Sequence, residues 1–230
     1  MTWDSSNRTH GWSYLRYHPE ERHSYVYVNI PKNASCWMKE NFGGYEYNFE
    51  TNKFIRDVNS AITYRKGLVS PKSYVVVLRD PITRWLSGLA QCFYGDNPTH
   101  WKNIRYDKIF EQVVFDEHTA PQSLFLKGIE SEITTWFYCD DNLVDNVKHW
   151  VHKKFGTDVK SLDFNIDNVY NVSKSGPEHP QYKITQQQII DSMKKVLDDN
   201  PKYVERLRSF YASDYELISK VNFQCQALRP

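Results

Sequence analysis

The sequence has no excess of charge of either sign, because 29 Lys and Arg residues face 28 Asp and Glu residues and leave a net charge of +1. This balance argues against bulk nucleic-acid binding and against a charge-driven role at a membrane surface. No run of 18 apolar residues occurs, and the N-terminal segment lacks the apolar run of a signal peptide. We therefore expect a cytoplasmic chain with neither nucleic acid nor membrane as a partner.

Cysteines are few and widely spaced. Cys36, Cys92, Cys139 and Cys225 form no CxxC pair and no His/Cys cluster at zinc spacing, so the sequence predicts no metal. Reduced thiols are the simplest interpretation, with one or two disulfides as the alternative. Internal repeats, low-complexity stretches and Gly/Ser linkers are also missing. We expect a single domain over residues 1–230, with residues 1–23 as an N-terminal extension.

Strand and helix patterns alternate along the chain. Apolar or β-branched runs predict strands over residues 24–30, 73–78, 135–139 and 168–171. Apolar residues at helical spacing predict helices that begin near residues 35, 81 and 143, and others over 189–197 and 203–211. This alternation predicts an α/β fold with three layers, α/β/α, around a central, mostly parallel sheet.

The first chemical motif is PKNASCW, residues 31–37, between the first predicted strand and its helix. Unpaired N–H groups of a first helical turn favour an anion, and Lys32 and the Ser35 hydroxyl add donors. The loop is not a Walker A motif, because GxxxxGK[ST] is absent. The alternative interpretation is an ordinary β–α turn with a solvated lysine.

The second motif is RDPITRWLS, residues 79–87. Arg79 follows a predicted strand, at the carboxyl edge where open α/β sheets place their ligands. Ser87 lies eight residues further on, about two turns into the next predicted helix. The planar guanidinium suits a phosphate, whereas the alternative is an Arg79 that is simply paired with Asp80.

Together the two motifs resemble the nucleotide motifs of the sulfotransferases that use 3′-phosphoadenosine 5′-phosphosulfate (PAPS). The RDPxxRxxS form is closest to the carbohydrate-modifying, Golgi-type branch. The resemblance implies a P-loop-NTPase-like sulfotransferase fold, a first loop that grips the 5′-phosphosulfate, a tryptophan that stacks on adenine, and an Arg and a Ser that hold the 3′-phosphate. The implied nucleotide-binding residues are Lys32, Asn33, Ala34, Ser35, Cys36, Trp37, Arg79, Ser87, Ser173 and Lys174.

Three later segments extend the resemblance. HTAPQ at residues 118–122 resembles the HxxPQ element of the branch, and YNVSKSG at 170–176 resembles its late loop that closes over the nucleotide. SDYEL at 213–217 resembles the C-terminal helix signature. The first loop departs from the family, because Ala34 and Ser35 replace its usual glycine and Cys36 stands where Thr or Ser is preferred.

The resemblance implies a metal-free transfer of SO3 from PAPS to a hydroxyl, with a carbohydrate as the expected acceptor. Lys32 is the expected catalytic cation at the leaving phosphate, because a positive charge there stabilises the transition state selectively. His118 is the expected general base, with His100 and Glu40 as alternatives. The competing hypothesis is a non-catalytic module of the same fold that binds a nucleotide or a glycan.

Overall fold

The computed structural model describes residues 13–18, 23–41, 45–48, 53–54, 72–95, 105–155 and 185–223. The strands in this part of the chain are β1 (Ser13–His18), β2 (His23–Val28), β3 (Tyr45–Asn48), β4 (Lys53–Phe54), β5 (Lys72–Leu78) and β6 (Ile133–Tyr138). The α-helices are α1 (Ser35–Asn41), α2 (Pro81–Gly95), α3 (Tyr106–Gln112), α4 (Leu143–Phe155), α5 (Gln186–Asp199), α6 (Pro201–Phe210) and α7 (Ala212–Lys220). Two short 3-10 helices cover Gln122–Leu126 and Glu130–Glu132.

The strands form one mixed sheet in the order β4-β3-β1-β2-β5-β6. β2, β5 and β6 are parallel, with Tyr25 opposite Ser73 and Val77 opposite Phe137. Parallel pairing is therefore confirmed for these three strands. The described sheet as a whole is mixed and not mostly parallel, because β1, β3 and β4 pair in antiparallel fashion. The strand predicted at 168–171 lies outside the described residues.

β1 lies within residues 1–23, the segment predicted to be an N-terminal extension. Residues 13–18 are part of the sheet, and they pair with β2 on one side and with β3 on the other. Their sequence, SYLRYH, lacks the continuous apolar run that marks β5. It became a strand through pairing with its neighbours rather than through its own composition.

Both faces of the parallel strands are covered, which explains their uninterrupted apolar sequences. One face packs against α1 and α4, and its buried members from the strands are Tyr25, Tyr27, Val75, Val77 and Phe137. The other face packs against Phe125 and Leu126 of the first 3-10 helix and against α7, and its strand members are Val26, Val28, Tyr74, Val76 and Leu78. Helical layers on both sides of the parallel strands agree with the expected α/β class.

A third cluster joins α2 to the C-terminal helices. Trp85, Leu86 and Leu89 of α2 are buried together with Ile189 and Met193 of α5. The start of α2 is fixed by a cap, because the Asp80 carboxylate accepts hydrogen bonds from the Thr83 backbone N–H at 2.7 Å and from its hydroxyl at 2.8 Å. Packing and cap together set the rotation of α2, and so decide which of its residues face the strand ends.

No α-helix within the described ranges is both long and apolar enough to cross a membrane.

Candidate functional site

The two predicted nucleotide motifs lie side by side. β2 and β5 are neighbouring parallel strands, so the loops that follow them leave the same edge of the sheet. The Arg79 guanidinium donates a hydrogen bond from Nη1 to the Lys32 carbonyl oxygen at 3.0 Å. The structure thus joins motifs that are separated by more than forty residues in sequence.

The loop after β2 has an unusual backbone. Lys32 has a φ of 68° and Ala34 a φ of 57°, both in the left-handed region that L-residues with a side chain avoid. Asn33, between them, does not have a positive φ. Backbone that alternates in hand forms concave sites where N–H groups converge on an anion.

Asn33 acts through its side chain as a structural residue. The side chain is fully buried, and its Nδ2 donates to the Val77 carbonyl oxygen at 2.8 Å and to Gln122 Oε1 at 2.5 Å. Gln122 in turn binds both backbone groups of Arg79: its Oε1 accepts from the N–H at 3.0 Å, and its Nε2 donates to the carbonyl oxygen at 2.8 Å. The Asn33 backbone N–H also has an internal partner, because it donates to the Ile30 carbonyl oxygen at 3.3 Å.

Arg84 is a second buried residue that links neighbouring segments, and no role was predicted for it from the sequence. Its guanidinium donates to the carbonyl oxygens of Pro31 at 2.9 Å, Ala120 at 2.5 Å and Glu117 at 3.0 Å. Burial lowers the pKa of Arg84 to about 10. The available signal was the RDPxxRxxS form, in which Arg84 is the second arginine.

Asp214 connects the SDYEL segment to the HTAPQ segment. Its carboxylate is buried and accepts hydrogen bonds from the backbone N–H groups of Gln122 at 2.8 Å and Ser123 at 2.9 Å. These are orphan donors at the start of the 3-10 helix Gln122–Leu126. Asp214 therefore anchors the HTAPQ segment, which holds Arg79 through Gln122.

A cavity of about 400 Å³ opens beside this network. It contains three of the predicted nucleotide residues, Ala34, Arg79 and Ser87. Ser87 is largely buried, whereas Arg79 is half-exposed. The remaining lining residues come from the strand ends, from α2 and from α5: Asp80, Thr83, Leu86, Tyr138, Cys139, Asp140, Asp141, Gln187, Ile190 and Lys194.

Lys32 lies outside the lining of that cavity, on the side of the loop that faces α2. Its ammonium is 3.4 Å from Gln91 Oε1. Burial lowers the pKa of Lys32, and the Arg79 charge lowers it further, whereas Cys36, Cys92 and Asp116 act in the opposite direction. Within the described ranges no carboxylate lies within 4.0 Å of this ammonium. Lys32 is thus a partly desolvated cation without a close counter-ion in that part of the chain.

His118 is held by Asp116. The His118 ring Nδ1 lies 2.8 Å from Asp116 Oδ2, and the His118 backbone N–H donates to Asp116 Oδ1 at 2.9 Å. Burial raises the pKa of Asp116, but hydrogen bonds from His118 and Cys92 outweigh it and leave the pKa below its usual value. Because Asp116 also acts on the pKa of Lys32, both predicted catalytic residues share the influence of one carboxylate.

Trp37, which the resemblance predicts to stack on adenine, is buried in the core of the described fold. Its side chain is 1% exposed and packs in the cluster between the sheet and α4. The short helix α1 turns Trp37 and Met38 inward, while Cys36 is exposed and Ser35 is half-buried. His100, Ser173, Lys174 and the side chain of Glu40 lie outside the part of the chain that is described.

Asp116, Glu117 and His118 are the residues to consider for a metal. In the described ranges they form the one group of three whose ligand atoms lie within 4.8 Å of one another. Asp116 Oδ2 is already engaged by the His118 ring, and Glu117 is exposed. The structure shows a hydrogen-bonded Asp–His pair at these residues.

The described fold and site define an α/β protein with a polar cavity at the carboxyl ends of parallel strands. Comparisons of the chain with protein-family models, with curated proteins and with solved structures found no match. The assignment of function therefore rests on the residues of this chain.

Proposed function

We propose that the chain is a PAPS-dependent sulfotransferase that transfers a sulfuryl group to a hydroxyl, with a carbohydrate as acceptor. We also propose that its parallel strands and their flanking helices are a P-loop-NTPase-like sulfotransferase fold. One observation carries the proposal: Arg79 and Ser87, the residues expected to bind the 3′-phosphate, line one cavity beside the loop expected to bind the 5′-phosphosulfate. The cytoplasmic location stays a prediction from the sequence.

Arg79 and Ser87 have the donors that a phosphate requires. A guanidinium carries five N–H donors, and the Lys32 carbonyl oxygen accepts from Nη1 only. Gln122 grips the backbone of Arg79 on both sides, so the position of its Cα does not depend on a ligand. The Ser87 hydroxyl is presented from α2, whose rotation is fixed by its cap and its buried face. Such preorganised donors bind a phosphate at little cost in entropy.

Lys32 supports the transfer step. In the proposed reaction PAPS supplies the sulfuryl group, and negative charge grows on the oxygen of the departing phosphate. A partly desolvated ammonium beside that oxygen stabilises the transition state more than the ground state. Within the described ranges no carboxylate neutralises Lys32 at close range, which leaves its charge available for this role.

His118 supports proton removal from the acceptor. Asp116 engages Nδ1, so in the neutral ring that carries its proton there, Nε2 is a free base. Nε2 takes the proton of the acceptor hydroxyl as its oxygen bonds to sulfur. The bond between sulfur and the phosphate oxygen breaks, and adenosine 3′,5′-bisphosphate leaves with the electron pair. Atoms and charge balance without a metal or an oxidant.

The test is incubation of the protein with radiolabelled PAPS and a panel of glycans, phenols and peptides. We expect label in a glycan, and a loss of rate of roughly 10²-fold or more in Lys32→Ala and in His118→Ala. Lys108→Ala, an exposed lysine on α3, is the charge-matched control and should keep its activity.

Two other outcomes are informative. No label in any acceptor, together with no stabilisation by adenosine 3′,5′-bisphosphate, would overturn the proposal. Binding of that nucleotide without transfer would favour the non-catalytic module of the same fold.

A further inference from the structure

Helix α5 brings a positive charge to the cavity that neither motif accounts for. Gln187, Ile190 and Lys194 line the cavity together with Arg79 and Ser87. They are spaced by three and four residues, so they form one stripe along α5. A lysine at the end of such a stripe reaches the cavity with a flexible stem that leans on apolar neighbours.

The direction of this stripe is fixed by the rest of the helix. Ile190 is 8% exposed and is buried in the cluster that includes Leu86 of α2. The N-terminus of α5 is closed by a capping box, in which Thr185 Oγ1 accepts from the Gln188 N–H at 3.2 Å and Gln188 Oε1 accepts from the Thr185 N–H at 2.8 Å. The position of Lys194 at the cavity is therefore a property of the packed helix.

The charged groups of the cavity are divided between its walls. The carboxylates Asp80, Asp140 and Asp141 belong to the strand-end wall, where Asp80 already caps α2. Lys194 belongs to a different element, α5. In the described part of the chain it forms no ion pair within 4.0 Å. Arg79, the Ser87 hydroxyl and Lys194 thus come from three different elements around one space.

We propose that Lys194 is the third anion-binding group of the subsite formed by Arg79 and Ser87, and that the ligand of this subsite is a phosphate monoester. The inference rests on the proposed function, in which that monoester is the 3′-phosphate of the nucleotide. It extends that function by a residue that lies in neither motif. The arrangement requires α5 to be packed on α2 before the phosphate binds, which couples the C-terminal helices to nucleotide affinity.

The chain offers a matched control for the test. Lys195 is the next residue on α5, is exposed like Lys194 and does not line the cavity. We would titrate the wild type, Lys194→Ala, Lys195→Ala and Lys194→Arg with adenosine 3′,5′-bisphosphate and adenosine 5′-monophosphate by calorimetry, and with inorganic phosphate by protein-observed NMR.

Lys194→Ala is expected to weaken binding of the bisphosphate and of inorganic phosphate about tenfold, because it removes one charge-assisted hydrogen bond. The affinity of Lys194→Ala for the 5′-monophosphate should stay within about twofold of the wild-type value. The affinity of Lys195→Ala should stay within about twofold of the wild-type value for every ligand. Lys194→Arg should retain most of the affinity. Thermal unfolding of each variant confirms that an exposed position has been changed without loss of the fold.

The remaining outcomes separate this inference from the proposed function. Equal effects of Lys194→Ala and Lys195→Ala on the bisphosphate would overturn the role of Lys194 and leave the proposed function standing. An equal loss of the 5′-monophosphate would place Lys194 at another phosphate and overturn the assignment. Binding of inorganic phosphate that depends on Lys194, without binding of either nucleotide, would support the subsite and overturn the proposed nucleotide. Absence of binding by all three would overturn both.

Discussion

At the scale of single residues, the positive charge of Lys32 lowers the stability of the folded chain. Its pKa is lowered, chiefly by burial, so the folded chain holds the Lys32 proton less tightly than the unfolded chain does. Below the folded pKa the charged side chain costs stability, and this cost fades as the pH rises through the folded and then the unfolded pKa. A charge kept against this cost is typical of a functional group.

Lys32→Met is expected to lower the rate of transfer by roughly 10²-fold or more. The free energy of unfolding at pH 7 should stay the same or rise, because the substitution removes a desolvated charge. Urea unfolding and the transfer assay, run on the same preparations with Lys108→Met as the control, measure both. A loss of stability in step with the loss of rate would show that Lys32 serves the fold instead.

Asp116 shows the opposite linkage. Its folded pKa is below the unfolded value near 4, because hydrogen bonds from His118 and Cys92 outweigh the effect of burial. The stabilisation that it provides is therefore complete above the unfolded pKa and is lost as the pH falls through the folded pKa.

Asp116→Asn is expected to reduce kcat by about tenfold or more, since the amide no longer holds His118 in the productive tautomer. The pH dependence of kcat should shift, and the decrease in unfolding free energy between pH 5 and pH 3 should become smaller than in the wild type. Asp107→Asn, an exposed aspartate paired with Arg105, is the control for activity. An unchanged kcat in Asp116→Asn would move the general base away from His118.

At the scale of elements, one face of α2 contacts both segments that carry the predicted catalytic residues. Arg84 binds the loop after β2 and the segment that contains His118, and Gly88 lies against that segment. Gln91 Oε1 lies near the Lys32 ammonium, and the Cys92 side chain forms a hydrogen bond with Asp116. A Cβ atom on Gly88 would lie 2.3 Å from the His118 carbonyl oxygen, so glycine is required here by close approach and not by backbone conformation.

Gly88→Ala is expected to destabilise the protein by about 1–3 kcal/mol through overpacking and to lower activity by displacing His118. Gly128→Ala is the matched control: Gly128 has a φ of +89° and open space around it. The free energy of unfolding of the control should fall by about 1 kcal/mol through backbone strain, and its specific activity should not change. Chemical denaturation and activity per folded molecule distinguish the two. Full activity in Gly88→Ala would contradict the role of this contact.

The sequence predicted those elements whose signals are local. β5 has an uninterrupted apolar run, α2 begins at a proline after a capping aspartate, and α4 and α5 have clear helical spacing. β1 and β3 lack a continuous apolar run, and their strand geometry depends on pairing with their neighbours. The burial of Trp37 could not be predicted, because a motif specifies the residue type, whereas the direction of the side chain depends on the rotation of α1.

At the scale of the whole molecule, a buried polar network holds distant motifs together. Asn33, Arg79, Gln122 and Asp214 are linked by hydrogen bonds between residues that lie 89, 43 and 92 positions apart in sequence. The resemblance covers the segments of all four residues, and the structure brings those four residues together. It could not reveal that Asn33, Arg84 and Asp214 serve the scaffold, because hydrogen-bond partners far apart in sequence leave no local pattern.

The near-neutral net charge of the chain is compatible with local positive charge at the site. A net charge of +1 describes the total, whereas Lys32 and Arg79 place two cations at adjacent strand ends. Local charge of this kind suits a compact anionic ligand better than an extended polyanion. Affinity should therefore depend strongly on the number of phosphates in a small ligand.

The most direct test of the central claim is calorimetric titration of the wild type and of Arg79→Ala with adenosine 3′,5′-bisphosphate and with adenosine 5′-monophosphate. The account predicts that the wild type binds the bisphosphate at least about tenfold more tightly, because Arg79 and Ser87 receive the 3′-phosphate. In Arg79→Ala this difference should largely disappear. Equal affinity of the wild type for the two nucleotides, or a preference for the bisphosphate that survives in Arg79→Ala, would contradict the account.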